Sequence, residues 1–238
     1  MEPQDKVMRL FHKLLNAGEP VNLLNNYRGF PVSYTATVLT LDQGYVAIGI
    51  HEYQAVSMAL EGKTYIQSKW LPEVIRANVM AVDVVKKRAV LTEFEPAGNE
   101  IGKRKTIRVY PSEPLEADIY DGRRHLSGKI ADISTTGVGV CNFATYIYGN
   151  LSIEMEKEVF VDFRLPNTDT VVRFQGVVTS AVDKQGDYLH RLGVRIFPNP
   201  ELQPLLDAYI KKRQHETERE LSLIYDSMCQ EKANQGKA

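Results

Sequence analysis

Short runs of alternating apolar and polar residues, each bounded by turn-forming residues, recur along most of this 238-residue chain. In the N-terminal half, Val46, Ile48 and Ile50 alternate with other residues directly after an Asp-Gln-Gly turn. In the C-terminal half, the same alternation runs through residues 159–165 and ends at a Pro-Asn pair. Strands of this kind, separated by short turns, pair antiparallel and close into barrels. We therefore expect a mainly β protein made of two small antiparallel β-barrels.

Two strand predictions are specific enough to compare with a structure. Residues 56–69, 74–83 and 88–94 are assigned to strands, with no helix of comparable length between them. In the second half, one predicted strand buries a single face formed by Val172, Phe174, Val178 and Val182.

Helical periodicity is confined to the two ends of the chain. Residues 5–17 carry apolar residues at helical spacing, and a second helix follows Pro200 with a compact apolar stripe: Leu202, Leu205, Leu206, Tyr209 and Ile210. This stripe should dock on the C-terminal barrel. Arg213 and Thr217 then occupy positions where a helical seam needs apolar residues. We therefore expect the rest of the helix to be partly free or to lie against a partner chain, with self-association through residues 221–228 as one alternative.

A segment without apolar periodicity separates the two halves. Residues 95–102 hold one proline and two glycines, a composition typical of an interdomain linker. The sequence thus predicts an N-terminal barrel domain with its leading helix at 1–101, a second barrel domain at 102–199, and a C-terminal helix and tail at 200–238.

The charge balance and the cysteine content exclude several classes of protein. Lys and Arg number 29 against 30 Asp and Glu, a net charge of −1, whereas proteins that bind nucleic acid or membrane surfaces generally need excess positive charge. The two cysteines, Cys141 and Cys229, are too few and too far apart for a zinc ribbon or a disulfide scaffold. The N-terminus has no long apolar run, and we expect a cytoplasmic protein without a membrane span.

Two short motifs follow the linker in order. Arg104 and Arg108 form an RxxxR motif, and Asp132, Ser134 and Gly137 form a DxSxxG motif that begins 24 residues after the second arginine. Together they resemble the signature of the PilZ domain, the bacterial receptor module for cyclic di-GMP, over roughly residues 102–199. The N-terminal half is similar in layout to the split barrel that precedes the six-stranded PilZ barrel in YcgR-like flagellar-brake proteins.

The resemblance implies that these motif residues bind cyclic di-GMP, and their chemistry suits this ligand. An arginine fork can donate two hydrogen bonds to guanine O6 and N7, and a second guanidinium suits a phosphate or a base face, which gives roles to Arg104 and Arg108. Asp132 can accept from the guanine N1–H and N2–H₂ groups. Ser134 can donate its hydroxyl to a phosphate or ribose oxygen.

Neighbouring residues extend this prediction. Gly137 and Gly139 leave no side chain where a ligand must approach the backbone. Lys103, directly before the motif, could meet the phosphates of a second nucleotide or simply face solvent, so the number of bound nucleotides stays open. Arg191 and Arg195 are interpreted as exposed strand arginines.

Each motif has an ordinary explanation when it is taken alone. A basic cluster after a linker is typical of a solvated junction, and residues 132–137 are typical of a polar turn in which Asp or Ser caps backbone amides. The occurrence of both motifs in order, inside a half rich in strands, favours the ligand site.

No motif for catalysis or metal binding is recognised in the sequence. We therefore expect a receptor rather than an enzyme, with no metal and no cofactor beyond the ligand cyclic di-GMP. Ligand binding should change the arrangement of the domains and signal to a protein partner, with control of flagellar motility as the output. The alternatives are a cyclic-di-GMP-responsive transcription regulator and a regulator of exopolysaccharide or biofilm output.

Overall fold

The computed structural model describes residues 3–98, 106–142, 153–166, 168, 170–184 and 189–235. They form two compact units, one from the described residues within 1–105 and 217–238, the other from those within 106–216. Each unit contains one closed barrel of six strands, all paired antiparallel. The predicted mainly β fold with two antiparallel barrels and a helix near each end of the chain is confirmed. The sequence-based domain boundaries stay a prediction.

The barrel of the first unit carries a helix before its first strand and another between its third and fourth strands. Its elements are α1 (Pro3–Ala17), β1 (Val21–Tyr27), β2 (Phe30–Asp42), β3 (Tyr45–Gly49), α2 (Glu52–Glu61), β4 (Lys63–Gln67), β5 (Ile75–Asp83) and β6 (Arg88–Pro96). The strand order is β1-β2-β3-β6-β5-β4, and β1 pairs with β4 to close the barrel. Helix α1 packs on β2 and β6, where the rings of Phe11 and Phe94 lie 5.1 Å apart between centroids.

The prediction of strands throughout residues 56–69 is wrong at its start, because α2 occupies this part of the chain as far as Glu61. The side chain of His51 caps the helix N-terminus by accepting from the Tyr53 N–H, and Gly62 ends the helix in the left-handed conformation at φ 66°. Val56, Met58 and Leu60 alternate in sequence like a strand, and this alternation misled the prediction. Consecutive residues from Gln54 to Met58 are in fact buried, since one face of the helix is covered over its whole width.

The second unit repeats the barrel with a different connectivity. Its strands are β7 (Glu116–Tyr120), β8 (His125–Ser134), β9 (Gly137–Asn142), β10 (Glu158–Arg164), β11 (Val171–Lys184) and β12 (Leu189–Ile196). They follow the order β10-β11-β12-β9-β8-β7, and β7 pairs with β10. As a result β8, β9 and β12 lie side by side, and these strands carry the DxSxxG motif and the predicted closing strand.

A β-bulge in β11 corrects one predicted face. Val172, Phe174 and Val178 are buried as expected, but Val182 is 49% exposed. The register between β11 and β12 shifts between Val178 and Ser180, so residues beyond the bulge change faces.

The C-terminal helix α3 (Gln203–Gln235) is longer than any other described element, and none of the described helices is both long and apolar enough to cross a membrane. Leu206, Tyr209 and Ile210 join the core of the second barrel, which confirms that the first stripe docks there.

The prediction that the rest of α3 is partly free is wrong. Leu221 is fully buried in a cluster of the first unit with Tyr27, Val32 and Val56. The two polar residues that were expected to interrupt the stripe are themselves buried. Arg213 donates from Nε to the carbonyl oxygen of Tyr110 at 3.0 Å, so its polar group has a partner and the seam continues.

Two leucines of α3 provide a direct test of this packing. Leu221→Ala should destabilise the first unit by about 2–5 kcal/mol, because it leaves a cavity in a closed cluster. Leu223→Ala is the matched control, since this side chain is 68% exposed and should change stability by less than about 0.5 kcal/mol. Urea denaturation of both variants measures the difference, and equal stabilities would contradict the packing.

Candidate functional site

The segment before β7 is held against β8, and this contact brings the two motifs together. Val109 and Ile133 exchange two backbone hydrogen bonds of 2.9 and 3.0 Å. Arg108 therefore lies beside Asp132, with 3.2 Å between Arg108 Nη1 and Asp132 Oδ1. The Asp132 side chain is only 6% exposed, whereas Arg108 keeps 36% of its side chain exposed. The RxxxR and DxSxxG motifs thus share one surface of the second barrel.

A second arginine pairs with the same carboxylate. Arg191 of β12 donates from Nη2 to Asp132 Oδ2, so each carboxylate oxygen faces one guanidinium. The interpretation of Arg191 as an unengaged strand arginine is therefore wrong. Its alternation with Leu192 and Val194 placed it on the outer face, but only the order of the strands reveals that this face adjoins Asp132.

The turn between β8 and β9 engages the serine of the motif. Ser134 Oγ donates to the carbonyl oxygen of Gly137 at 3.1 Å and accepts from the Thr136 N–H at 3.4 Å. A Cβ atom on Gly137 would lie 3.0 Å from the carbonyl oxygen of Val194, so this glycine permits close packing of β12. The turn interpretation thus describes what Ser134 does in the free protein, and its role toward a ligand stays a prediction.

A shallow cavity of about 230 Å³ opens beside this turn. Arg108 and Arg195 both line it, and its other lining residues are Thr106, Ser134, Thr136, Gly137, Val138, Thr179, Ser180, Gly193 and Val194. A larger cavity of about 490 Å³ on the same unit is lined by six residues that include Glu201 and neither lysine nor arginine. An anionic ligand is therefore better matched by the smaller cavity and the arginines around it.

Two predicted site residues, Lys103 and Arg104, lie outside the described residues. Of the remaining ones, Arg108, Asp132, Ser134 and Gly137 are brought together as expected. Gly139 lies next to Asp132 on the neighbouring strand.

A serine, a histidine and an aspartate also meet on the β7–β8 hairpin. Asp118 Oδ1 accepts from Ser127 Oγ at 2.5 Å and lies 2.8 Å from His125 Nε2. The hydrogen bond from Ser127 lowers the pKa of Asp118, and His125 adds to this effect. A hydrolase triad holds the aspartate and the serine on opposite nitrogens of the imidazole, whereas here both contact Nε2. The cluster is thus a surface hydrogen-bond network. Among the described residues, no three potential metal ligands converge.

The turn interpretation of Ser134 leads to a stability prediction. Ser134→Ala should destabilise the second unit by about 1 kcal/mol in the absence of ligand, because it removes the hydroxyl that bonds Gly137. Thr135→Ala is the matched control, since Thr135 contributes its backbone carbonyl oxygen to the hydrogen bond from Gln203 Nε2. Thermal melts of the ligand-free variants measure the effect, and an unchanged melting temperature for Ser134→Ala would contradict the role of Ser134 in the turn.

Comparisons with known proteins agree with this geometry. The family model of the PilZ domain matches residues 102–212. No curated protein matches the sequence significantly. Three solved structures resemble the whole chain at low identity. The MrkH–c-di-GMP complex of K. pneumonia has a TM-score of 0.47 and 13% identity, and the match covers 91% of this chain and 96% of that one.

The other two are bacterial proteins of similar extent. YcgR of Escherichia coli in complex with c-di-GMP has a TM-score of 0.44 and 12% identity, with 93% of this chain and 95% of that chain covered. The inhibitor of motility MotI of Bacillus subtilis has a TM-score of 0.44 and 14% identity, with coverage of 84% and 97%. At this distance the likenesses establish no function. The family match, the closed second barrel and the joined motifs show that this chain is a PilZ-domain protein.

Proposed function

We propose that this protein is a receptor for cyclic di-GMP and that the ligand binds on the outer face of the second barrel. One observation carries the proposal: Arg108 Nη1 lies 3.2 Å from Asp132 Oδ1, so the two halves of the sequence motif form one surface. Cyclic di-GMP is a compact dianion with two guanine bases. Its site must therefore supply cations for the phosphates and hydrogen-bonding groups for the guanine edges.

The charges around the cavity support an anionic ligand. Arg108, Arg191 and Arg195 place three guanidinium groups around the single carboxylate of Asp132. Arginine binds phosphate and guanine through two parallel hydrogen bonds, which a lysine in the same place would not provide. Arg104 adds a further guanidinium in this proposal, and Lys103 serves a second nucleotide if two are bound.

Each motif residue has a distinct role in the proposed complex. Arg108 and Arg104 bind guanine O6 and N7 and a phosphate. Asp132 accepts from guanine N1–H and N2–H₂, and it has this capacity because a carboxylate offers about four lone-pair sites, of which two face the arginines. Ser134 and Gly137 shape the turn against which the ligand lies.

The protein acts as a receptor in the cytoplasm rather than as an enzyme. Binding fixes the arginine segment, which the sequence places directly after the linker at 95–102, against the second barrel. This fixation changes the arrangement of the domains and is passed to a protein partner. Flagellar motility is the proposed output, as the resemblance to YcgR-like proteins implies.

A transcription regulator is the competing output, and a DNA-binding assay at graded salt concentrations separates the two. A DNA-binding protein gains affinity by releasing counterions from phosphates and needs a basic surface for this purpose. The net charge of −1 supplies little support for such a surface. Salt-sensitive DNA binding that depends on cyclic di-GMP would favour the regulator.

The arginines provide the first test of the ligand site. Arg104→Ala and Arg108→Ala should each weaken cyclic di-GMP binding by about ten- to a hundredfold, because each removes a charged hydrogen bond. Arg173→Ala is the matched control, since it removes an exposed arginine paired with Asp162 elsewhere on the barrel. Isothermal titration gives affinity and stoichiometry. Wild-type affinity in both variants, with an unchanged circular dichroism spectrum, would contradict the assignment.

Hydrogen exchange tests the proposed change in the linker. Saturating cyclic di-GMP should slow amide exchange in residues 98–108 as well as in residues 132–139, because the ligand bonds to side chains from both segments. Protection confined to residues 132–139 would show that the ligand does not engage the arginine segment.

A further inference from the structure

Arg191 reaches Asp132 across an intervening strand. The two residues lie on β12 and β8, and β9 runs between these strands. Neighbouring strands are about 4.8 Å apart, so the arginine side chain must pass over the surface of β9 to reach the carboxylate. At this point β9 carries Gly139, which is the register partner of both Asp132 and Gly193.

Gly139 provides the space for this passage. A Cβ atom on this residue would lie 2.8 Å from Arg191 Nη2 and 2.9 Å from Asp132 Oδ2. Both distances are shorter than an unstrained contact, so a side chain here must displace one of the two charged groups. Gly139 is not among the glycines with positive φ, and conformational freedom is therefore not the reason for a glycine. What this glycine accommodates is the ion pair itself.

The two arginines together fix the plane of the Asp132 carboxylate. Oδ1 faces Arg108 and Oδ2 faces Arg191, so rotation of the carboxylate would break both pairs. Arg108 belongs to the proposed ligand-binding motif and must share its hydrogen bonds with the nucleotide. The contact that holds the carboxylate independently of this motif is the one with Arg191.

We propose that Arg191 is a positioning residue that orients Asp132 toward the guanine edge, and that Gly139 makes this orientation sterically attainable. The inference rests on the proposed function, and it assigns Gly139 a different role from the close approach of ligand to backbone expected from the sequence. Asp132 is the group that bonds the N1–H and N2–H₂ groups of guanine. Arg191 acts through Asp132 and determines how strongly the site distinguishes guanine from a base that lacks the 2-amino group.

Cyclic di-IMP is a suitable probe, because hypoxanthine keeps O6, N7 and N1–H and lacks only the 2-amino group of guanine. Isothermal titration of the full-length wild type with both ligands should give an affinity ratio of about tenfold or more in favour of cyclic di-GMP, since the missing amine leaves a charged acceptor without its bond. Arg191→Gln should reduce this ratio to about twofold. Gly139→Ala should reduce it to a similar value, and the double variant should fall no further, because both changes disrupt the same ion pair.

Arg173→Gln is the matched control. It removes an arginine that pairs with Asp162 between β11 and β10 and should leave the ratio at its wild-type value. If the wild type binds cyclic di-GMP but Arg191→Gln keeps the full preference for guanine, the inference is wrong and the proposed function stands. An equal loss of affinity for both ligands would also overturn it, because Arg191 would then act as a general electrostatic contact.

The remaining outcomes are equally decisive. Additive effects in the double variant would show that Gly139 acts independently of Arg191. If Gly139→Ala does not fold, the titration of Arg191→Gln tests the positioning role by itself. Failure of the wild type to bind cyclic di-GMP at all would overturn the proposed function, and this inference with it.

Discussion

A nearly buried carboxylate between two guanidinium groups organises the surface of the second barrel. Asp132 keeps 6% of its side chain exposed, and a charge so far removed from water needs close partners of opposite sign. Arg108 and Arg191 provide them from opposite sides in the chain, one before β7 and one on β12. The contact with Arg108 joins a segment outside the barrel to the barrel wall. The contact with Arg191 ties β12 to β8 across a third strand.

The arrangement also explains why small residues are concentrated on this surface. Gly139 and Gly193 are register partners, and Gly137 lies against the backbone of Val194. Side chains at these positions would fill the space that the arginines and the cavity occupy. The glycines thus leave backbone as the floor of the site, and charged groups form its sides.

Much of the fold could be predicted from the sequence because its strands alternate regularly and its turns are marked. The interruption at α2 could not, because Val56, Met58 and Leu60 satisfy a strand pattern while a cap at His51 and a stop at Gly62 define a helix. The site was only partly predictable. Its motif residues are neighbours in sequence, whereas Arg191 lies 59 residues from Asp132 and meets it through strand register, which a sequence pattern does not specify.

The hydroxyl of Ser134 has a consequence for the energetics of recognition. A hydroxyl has one proton, and in the free protein that proton bonds the carbonyl oxygen of Gly137. If the same proton is donated to a phosphate, the bond within the turn is lost, and one hydrogen bond is exchanged for another with little net gain. Accepting a bond from a ribose hydroxyl carries no such loss, because the oxygen keeps its lone pairs. Ser134 is therefore suited to orient a sugar rather than to add affinity for a phosphate, and selection at this position would act on geometry more than on binding strength.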